Sequence, residues 1–168
     1  MQPKAILIAG VNGAGKTSFA RELIPEEHPE VPFLNADEIG YESKRLAHPV
    51  AAGRELLHRL AEKERLRQSF VLETTLSSTM YARRIRAWRT AGYFVVLHFI
   101  EAPSDDFAVR RVAQRVAAGG HNIPEADIRR RFVRGLSLFH AVYKPLVDEC
   151  YHWHATEIGF YLGQHEKK

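Results

Sequence analysis

A glycine-rich stretch near the start of the chain has the composition and spacing of a phosphate-binding loop. Residues 10–17 read GVNGAGKT and match G-x-x-x-x-G-K-[ST], with an apolar run before them and a helical pattern after them. In such a loop the glycines let successive N–H groups point at phosphates, the lysine reaches the terminal phosphates, and the final hydroxyl binds Mg²⁺. The alternative is an incidental glycine turn in a different α/β protein. The stretch predicts a nucleotide site with Thr17 as metal ligand and contacts from Asn12, Gly13, Ala14, Gly15, Lys16, Thr17 and Ser18.

Two acidic residues follow predicted strands and are candidates for contact with a phosphate acceptor. Asp37 comes just after residues 31–35, and Glu73 closes the apolar run 69–73. Ligands of parallel sheets bind at the carboxyl ends of the strands, so both carboxylates are expected beside the γ-phosphate. For Asp37 the alternative is helix capping, because Asn35 or Asp37 before a short helix would be ordinary N-cap chemistry.

Hydroxyl side chains follow Glu73 directly. Thr74, Thr75 and Ser77 are candidate hydrogen-bond donors to a bound substrate. The alternative is that residues 74–78 cap the next helix.

Arginines in the second half of the chain are candidates for binding a transferred phosphoryl group. Arg111 and Arg115 lie four residues apart in a helical segment and therefore share one helical face. Arginines aimed at a transferring phosphoryl group stabilise its charge, so both are predicted to be catalytic together with Lys16. Arg130 and His121 are candidate substrate contacts, although a histidine in a Gly-rich turn is equally suited to a structural hydrogen bond.

The tail contains an alternating set of potential metal ligands. Cys150, His152 and His154 would share one face of a strand, as the ligands of a zinc site could. No fourth ligand is evident in the sequence, and scattered histidines in a tail are the alternative interpretation.

Apolar runs of strand length alternate with helical segments, which predicts a mainly parallel sheet with helices on both faces. The runs are continuous rather than alternating, as is typical of strands buried on both sides. They cover residues 5–9, 31–35, 69–73 and 93–100, and residues 158–162 are a candidate for the last strand. The helical segments cover residues 16–24, 51–67, 79–91, 104–118 and 125–140. Together they predict an α/β fold of one domain over residues 1–168, a mainly parallel sheet with helices on both faces and a helical lid at about residues 104–140.

Bulk composition restricts the class of protein. The 168 residues include one cysteine, so no internal disulfide can form and a reducing cytoplasm is the predicted location. The start lacks the pattern of a signal peptide, and the longest apolar run is too short to span a bilayer. The net charge of +4 suits anionic ligands, and with no RNA-binding signature it does not indicate a nucleic-acid partner.

With loop, strands and lid identified, the chain resembles the zeta toxin family of P-loop kinases, especially its small stand-alone bacterial members. The resemblance covers roughly residues 4–148. It rests on ordered blocks, which read GVNGAGKTSFARE, FLNADEI, AAGREL, SFVLETTLSS, VRRVAQRVAAGGHNIPEADIRRRF and YKPLVDE. The tail CYHWHATEIGFYLGQHEKK departs from the family pattern, which leaves the adenine contacts unassigned.

The resemblance implies a reaction and roles for individual residues. Zeta toxins use ATP and Mg²⁺ to phosphorylate a sugar hydroxyl of UDP-N-acetylglucosamine, and a small antitoxin protein holds them in check. By the matching motifs, Asp37 would be the general base for the acceptor hydroxyl. Glu73 would orient the acceptor sugar or hold a Mg²⁺-bound water.

The sequence therefore predicts an ATP-dependent kinase with a small-molecule alcohol as acceptor, such as a nucleotide-sugar. One rival is a kinase of the same fold that acts on a nucleoside, a drug or a polynucleotide end. The other is a catalytically inactive, ATP-binding partner protein that works by forming a complex.

Overall fold

The computed structural model describes residues 2–27, 29–42, 49–120 and 122–168, and within them a single six-stranded sheet forms. The order of strands across the sheet is β2-β3-β1-β4-β5-β6. The strands are β1 (Lys4–Ala9), β2 (Phe33–Leu34), β3 (Phe70–Thr74), β4 (Phe94–Glu101), β5 (Glu149–Ala155) and β6 (Phe160–Lys167).

The four apolar runs of the sequence form the first four strands. Strand β1 lies inside the sheet and pairs in parallel with β3 on one side and β4 on the other. Its residues AILIA are fully buried. All pairs are parallel except the last, β5 with β6, which is antiparallel. The predicted mainly parallel sheet is confirmed. The final strand covers Phe160–Lys167 rather than residues 158–162, because residues 158 and 159 lie in the turn before it, and β5 is an additional strand that the apolar pattern did not predict.

Helices cover both faces of the sheet, as predicted. They are α1 (Lys16–Glu27), α2 (Ala36–Glu42), α3 (Pro49–Arg65), α4 (Met80–Thr90), α5 (Asp105–Ala117), α6 (Glu125–Leu138), a π-helical turn (Phe139–Tyr143) and α7 (Lys144–Leu146). One core lies between the sheet and α3, α4 and the π-helical turn, with Leu60, Ile85 and Phe139 fully buried. The other lies between the sheet and helices α1 and α5, with Phe19 and Phe107 at its centre.

The segment predicted as a lid contains α5 and α6, joined near a Gly-Gly turn. Helix α5 begins at an N-cap, Ser104, whose hydroxyl accepts a hydrogen bond from the Phe107 N–H at 3.1 Å. Arg129 of α6 binds Asp105 and Asp106 of α5 at 2.7 and 2.8 Å, which ties the two helices together. In the part of the chain that the structure describes, no helix has the length and apolar character to cross a membrane.

Candidate active site

The phosphate-binding loop forms the corner between β1 and α1. Gly13 and Gly15 adopt φ angles of 86° and 91°, a region that L side chains rarely occupy. Helix α5 also packs directly on the loop, since a Cβ at Gly13 would lie 2.3 Å from the Ala108 carbonyl oxygen. Glycine is therefore required here both by the backbone conformation and by the neighbouring helix.

Lys16 lies across this loop and is almost completely buried. Its Nζ donates a hydrogen bond to the Val11 carbonyl at 3.2 Å and lies 3.8 Å from Glu73 Oε1. Burial lowers the pKa of Lys16, and the charges of Glu73 and Asp37 oppose that shift. A bound polyphosphate would supply further negative charge at this position.

Glu73 forms hydrogen bonds with two other residues of the site. At the end of β3, its Oε2 accepts hydrogen bonds from the Thr17 hydroxyl and from the Asn35 side-chain amide, each at 2.9 Å. Burial raises the pKa of the Glu73 carboxyl, while Lys16 and the Thr17 hydrogen bond act in the opposite direction. A single carboxylate thus links the loop, the start of α1 and the end of β2.

The sequence left open whether Asn35 or Asp37 caps α2, and the structure assigns the cap to Asn35. The Asn35 Oδ1 accepts a hydrogen bond from the Asp37 N–H at 2.8 Å, so Asn35 is the N-cap of α2. Asp37 lies in the first turn with its side chain 58% exposed, and its carboxylate is 3.8 Å from Arg115 Nη1. The cap is therefore made without the Asp37 carboxylate.

The predicted lid arginines occupy different surroundings. Arg115 and Arg111 both line the cleft above the loop, and Arg111 donates a hydrogen bond to the Thr156 carbonyl at 3.3 Å. Arg131 donates to the Asn12 side chain at 2.8 Å and so connects α6 to the phosphate-binding loop. Arg130 instead forms an ion pair with Asp127 at 2.8 Å on the exposed side of α6.

The hydroxyl residues after Glu73 hold a turn. Thr74 Oγ1 accepts a hydrogen bond from the Leu76 N–H at 3.3 Å, and Thr75 Oγ1 lies 3.0 Å from Ser77 Oγ. Leu76 has a φ of 45°, so the chain bends sharply here. Neither Thr74 nor Thr75 caps α4: Thr79 holds the N-cap position without a side-chain hydrogen bond, and it is Ser78 whose Oγ accepts from the Met80 N–H at 3.5 Å. The remaining predicted contact, His121, lies outside the described residues.

The turn between β5 and β6 forms a wall of the cleft that sequence reasoning did not assign. Ile158 is fully exposed at this turn, and Phe160 packs edge-on against Phe19 with ring centroids 5.3 Å apart. A Cβ at Gly15 would lie 2.9 Å from the Phe160 ring, which fixes the tail against the loop. The exposure of Ile158 is visible only in the structure, so the sequence alone carried no signal for this wall.

These elements enclose a cleft of about 390 Å³. It is lined by Gly13, Gly15, Lys16, Thr17, Ser18, Glu22, Glu73, Arg111, Arg115, Glu157, Ile158, Gly159 and Phe160. Cationic groups therefore lie on both the loop side and the α5 side, with Glu73 at the base. This arrangement can bind a polyphosphate between fixed positive charges.

Comparison with known sequences identifies relatives along most of the chain. A family model described as an AAA domain matches residues 6–132. An uncharacterised protein of Haemophilus influenzae is 31% identical over 141 residues, which cover 79% of this chain and 94% of that protein.

Solved structures share the fold. The PezAT chromosomal toxin–antitoxin system of Streptococcus pneumoniae matches with a TM-score of 0.72 at 17% identity, over 98% of this chain and 71% of that one. The AvrRxo1-ORF1:ORF2 complex with ATP matches with a TM-score of 0.72 at 18% identity, over 98% of this chain and 58% of that one. These matches confirm the α/β fold class, and they show that the chain shares its fold with the PezAT toxin–antitoxin system and the AvrRxo1-ORF1:ORF2 complex.

Proposed function

The chain belongs to this AAA domain family, and on that premise we propose that it is an ATP-dependent kinase that phosphorylates a hydroxyl group of a small molecule. The observation that carries the proposal is the position of Arg115. This residue lines the cleft above the phosphate-binding loop and lies 3.8 Å from Asp37. A candidate base and a candidate phosphoryl clamp therefore lie beside each other, near enough to Lys16 for the charge of each to act on its pKa.

The triphosphate of ATP would bind between the N–H groups of the loop and Lys16. Mg²⁺ would be held by Thr17, with Glu73 as a second oxygen ligand either directly or through a water. The Thr17 hydroxyl donates a hydrogen bond to Glu73 at 2.9 Å, so two oxygens already converge where both could serve as ligands of the ion. When bound, Mg²⁺ would neutralise charge on the phosphates.

Asp37 would act on the acceptor. The acceptor oxygen forms a bond to the γ-phosphorus, the bond from that phosphorus to the bridging oxygen of ADP breaks, and the hydroxyl proton passes to the Asp37 carboxylate. Asp37 is suited to this because its carboxylate is exposed and Asn35 already caps α2. Arg115 and Arg111 would stabilise the charge of the transferred group.

The acceptor we propose first is a nucleotide-sugar such as UDP-N-acetylglucosamine, which follows from the resemblance to zeta toxins. The toxin–antitoxin system among the structural matches supports a second part of the proposal, a small antitoxin protein as partner. A nucleoside, a drug or a polynucleotide end is the alternative acceptor.

A screen for phosphorylated products tests the proposed function. The protein is incubated with ATP, Mg²⁺ and either UDP-N-acetylglucosamine or a cell metabolite pool, and products are identified by mass spectrometry. Lys16→Ala serves as the blank, because the phosphates lose their nearest cation while the glycine turn is retained. We expect a product that gains one phosphate only with the wild-type protein. ATP binding without any product in either pool would favour the inactive partner protein instead.

A further inference from the structure

Three potential metal ligands converge at the carboxyl ends of β4 and β5. They are Glu101, His152 and His154, and one ligand atom from each lies within 4.8 Å of the other two. Glu101 Oε2 is 2.7 Å from His152 Nε2 and 4.0 Å from His154 Nδ1. The residues of this cluster are absent from the lining of the nucleotide cleft.

The pairing of β4 with β5 brings the three residues of the cluster together. His152 and His154 alternate along β5 and so point to one face, and His154 pairs in register with Glu101 of the neighbouring parallel strand. The sequence suggested Cys150 as the third ligand of this set, but Cys150 pairs with Leu97 and belongs to the apolar core. Glu101 takes the third position, and it could not be identified from the tail alone because it is about 50 residues away in sequence.

An irregularity in strand β6 makes room for the His154 side chain. The pairing of β5 with β6 shifts between His152 and Trp153, so that Gly163 is bulged out of register. A Cβ at Gly163 would lie 2.5 Å from His154 Nε2, and the Tyr161 ring stacks on the imidazole at 5.1 Å between centroids. The bulge and its glycine therefore leave room for this imidazole, whose Nδ1 is the ring nitrogen paired with Glu101 at 4.0 Å.

We propose that Glu101, His152 and His154 form a binding site for a divalent transition-metal ion, with Zn²⁺ as the preferred ion. Two imidazole nitrogens and one carboxylate oxygen are a donor set that zinc uses when a fourth position stays open. Donors of a tetrahedral zinc site are about 3.4 Å apart, given metal–ligand distances of about 2.1 Å. The Glu101 separations of 2.7 and 4.0 Å bracket this value, and the two histidines lie within 4.8 Å of each other, so side-chain shifts on the order of 1 Å would complete the site.

A third histidine lies near the cluster but outside the group whose ligand atoms are within 4.8 Å of one another. The ring of His140, on the π-helical turn, lies 6.0 Å from the ring of His152 between centroids. A metal at this site would fasten the β5–β6 hairpin to the end of β4. Because the ligands come from two strands, occupancy of the site should raise thermal stability.

Zinc titration of the tag-free, full-length protein tests this site. The chelator-treated protein is titrated with Zn²⁺ by calorimetry and melted with and without the ion, alongside Glu101→Gln and His154→Ala. His58→Ala, an exposed histidine on α3, is the matched control. Glu101→Gln keeps the shape of the side chain, and His154 is only half-buried, so both variants should fold.

We expect the wild type and His58→Ala to bind one equivalent of Zn²⁺ and to melt at a higher temperature with it. Glu101→Gln and His154→Ala should bind at least about a hundredfold more weakly, because each loses a direct ligand. Equal zinc affinity in all four proteins would overturn the proposal, as would failure of the wild type to bind one equivalent at micromolar concentrations. Either result would leave Glu101 and His152 as a hydrogen-bonded pair without a metal.

Discussion

Glu73 shows how one buried carboxylate can organise a phosphate-binding loop. It accepts hydrogen bonds from Thr17 and Asn35 and lies near Lys16, so three segments distant in sequence meet at its two oxygens. Burial disfavours both the carboxylate and the ammonium, and the attraction between Glu73 and Lys16 partly opposes the resulting shift in the pKa of each group.

The raised pKa of Glu73 gives a prediction for stability against pH. Burial raises the pKa in the folded protein above 4.5, so the folded state binds this proton more tightly than the unfolded state does. The contribution of Glu73 to stability is thus fully present below pH 4.5 and is lost as pH rises through the folded pKa. Glu73→Gln carries no such proton, so it should gain stability relative to the wild type as pH rises from 4.5 toward 8.

Thermal unfolding of both proteins across this pH range measures the effect. Glu22→Gln, a change of an exposed carboxyl on the rim of the same cleft, controls for the altered net charge. A difference in melting temperature between Glu73→Gln and the wild type that stays constant with pH would contradict the buried-carboxylate account.

Helix α5 connects the phosphate-binding loop to the residues opposite it. Its backbone packs on Gly13, and one of its faces carries Arg111 and Arg115 into the cleft. Arg115 reaches toward Asp37, whereas Arg111 reaches the Thr156 carbonyl at the β5–β6 turn. The two arginines share a helical face but contact different walls of the site.

This division predicts different defects for the two arginines. Arg115→Ala should lower the maximal rate of phosphate transfer by about a hundredfold, which corresponds to loss of one transition-state contact, and leave ATP affinity nearly unchanged. Arg111→Ala should weaken ATP binding as well, because the turn beside the nucleotide loses a hydrogen bond. Steady-state kinetics and nucleotide titration separate the effects. A rate loss in Arg111→Ala but not in Arg115→Ala would reverse the assignment, and no rate loss in either would remove the lid arginines from the mechanism.

At the scale of the whole molecule, the C-terminal hairpin completes the cleft. Strand β6 lies antiparallel at the edge of the sheet, and the turn before it brings Phe160 against Phe19 and Gly15. The tail therefore lines the proposed nucleotide cleft although it departs from the sequence pattern of zeta toxins.

Removal of the Phe160 ring should loosen this wall. Phe160→Ala is expected to destabilise the protein by about 2 kcal/mol through lost apolar burial and to weaken ATP binding by roughly tenfold. Leu162→Ala, on the same strand but largely exposed, is the control. Chemical denaturation and nucleotide titration measure the two quantities, and unchanged ATP affinity in Phe160→Ala would show that the hairpin does not contribute to the site.

The sequence predicted the parts of the fold whose signals are local. Strands β1, β3 and β4 are continuous apolar runs because both of their faces are covered, and the loop motif fixed the corner after β1. Strand β5 was not predicted because Tyr151, His152, Trp153 and His154 obscure its partial burial. Contacts made by tertiary pairing, such as Glu73 with Asn35 or Arg131 with Asn12, have no local signature.

The most direct test of the central claim is a comparison of Asp37→Asn with the wild type in acceptor phosphorylation and in affinity for a non-hydrolysable ATP analogue with Mg²⁺. Asparagine cannot accept the acceptor's proton, while the Asn35 cap and the phosphate-binding loop remain intact. We predict near-normal nucleotide affinity and melting temperature, with phosphorylation of the acceptor reduced by about a hundredfold or more. Phosphorylation at the wild-type rate in Asp37→Asn, or a loss of activity matched by an equal loss of stability, would contradict the account.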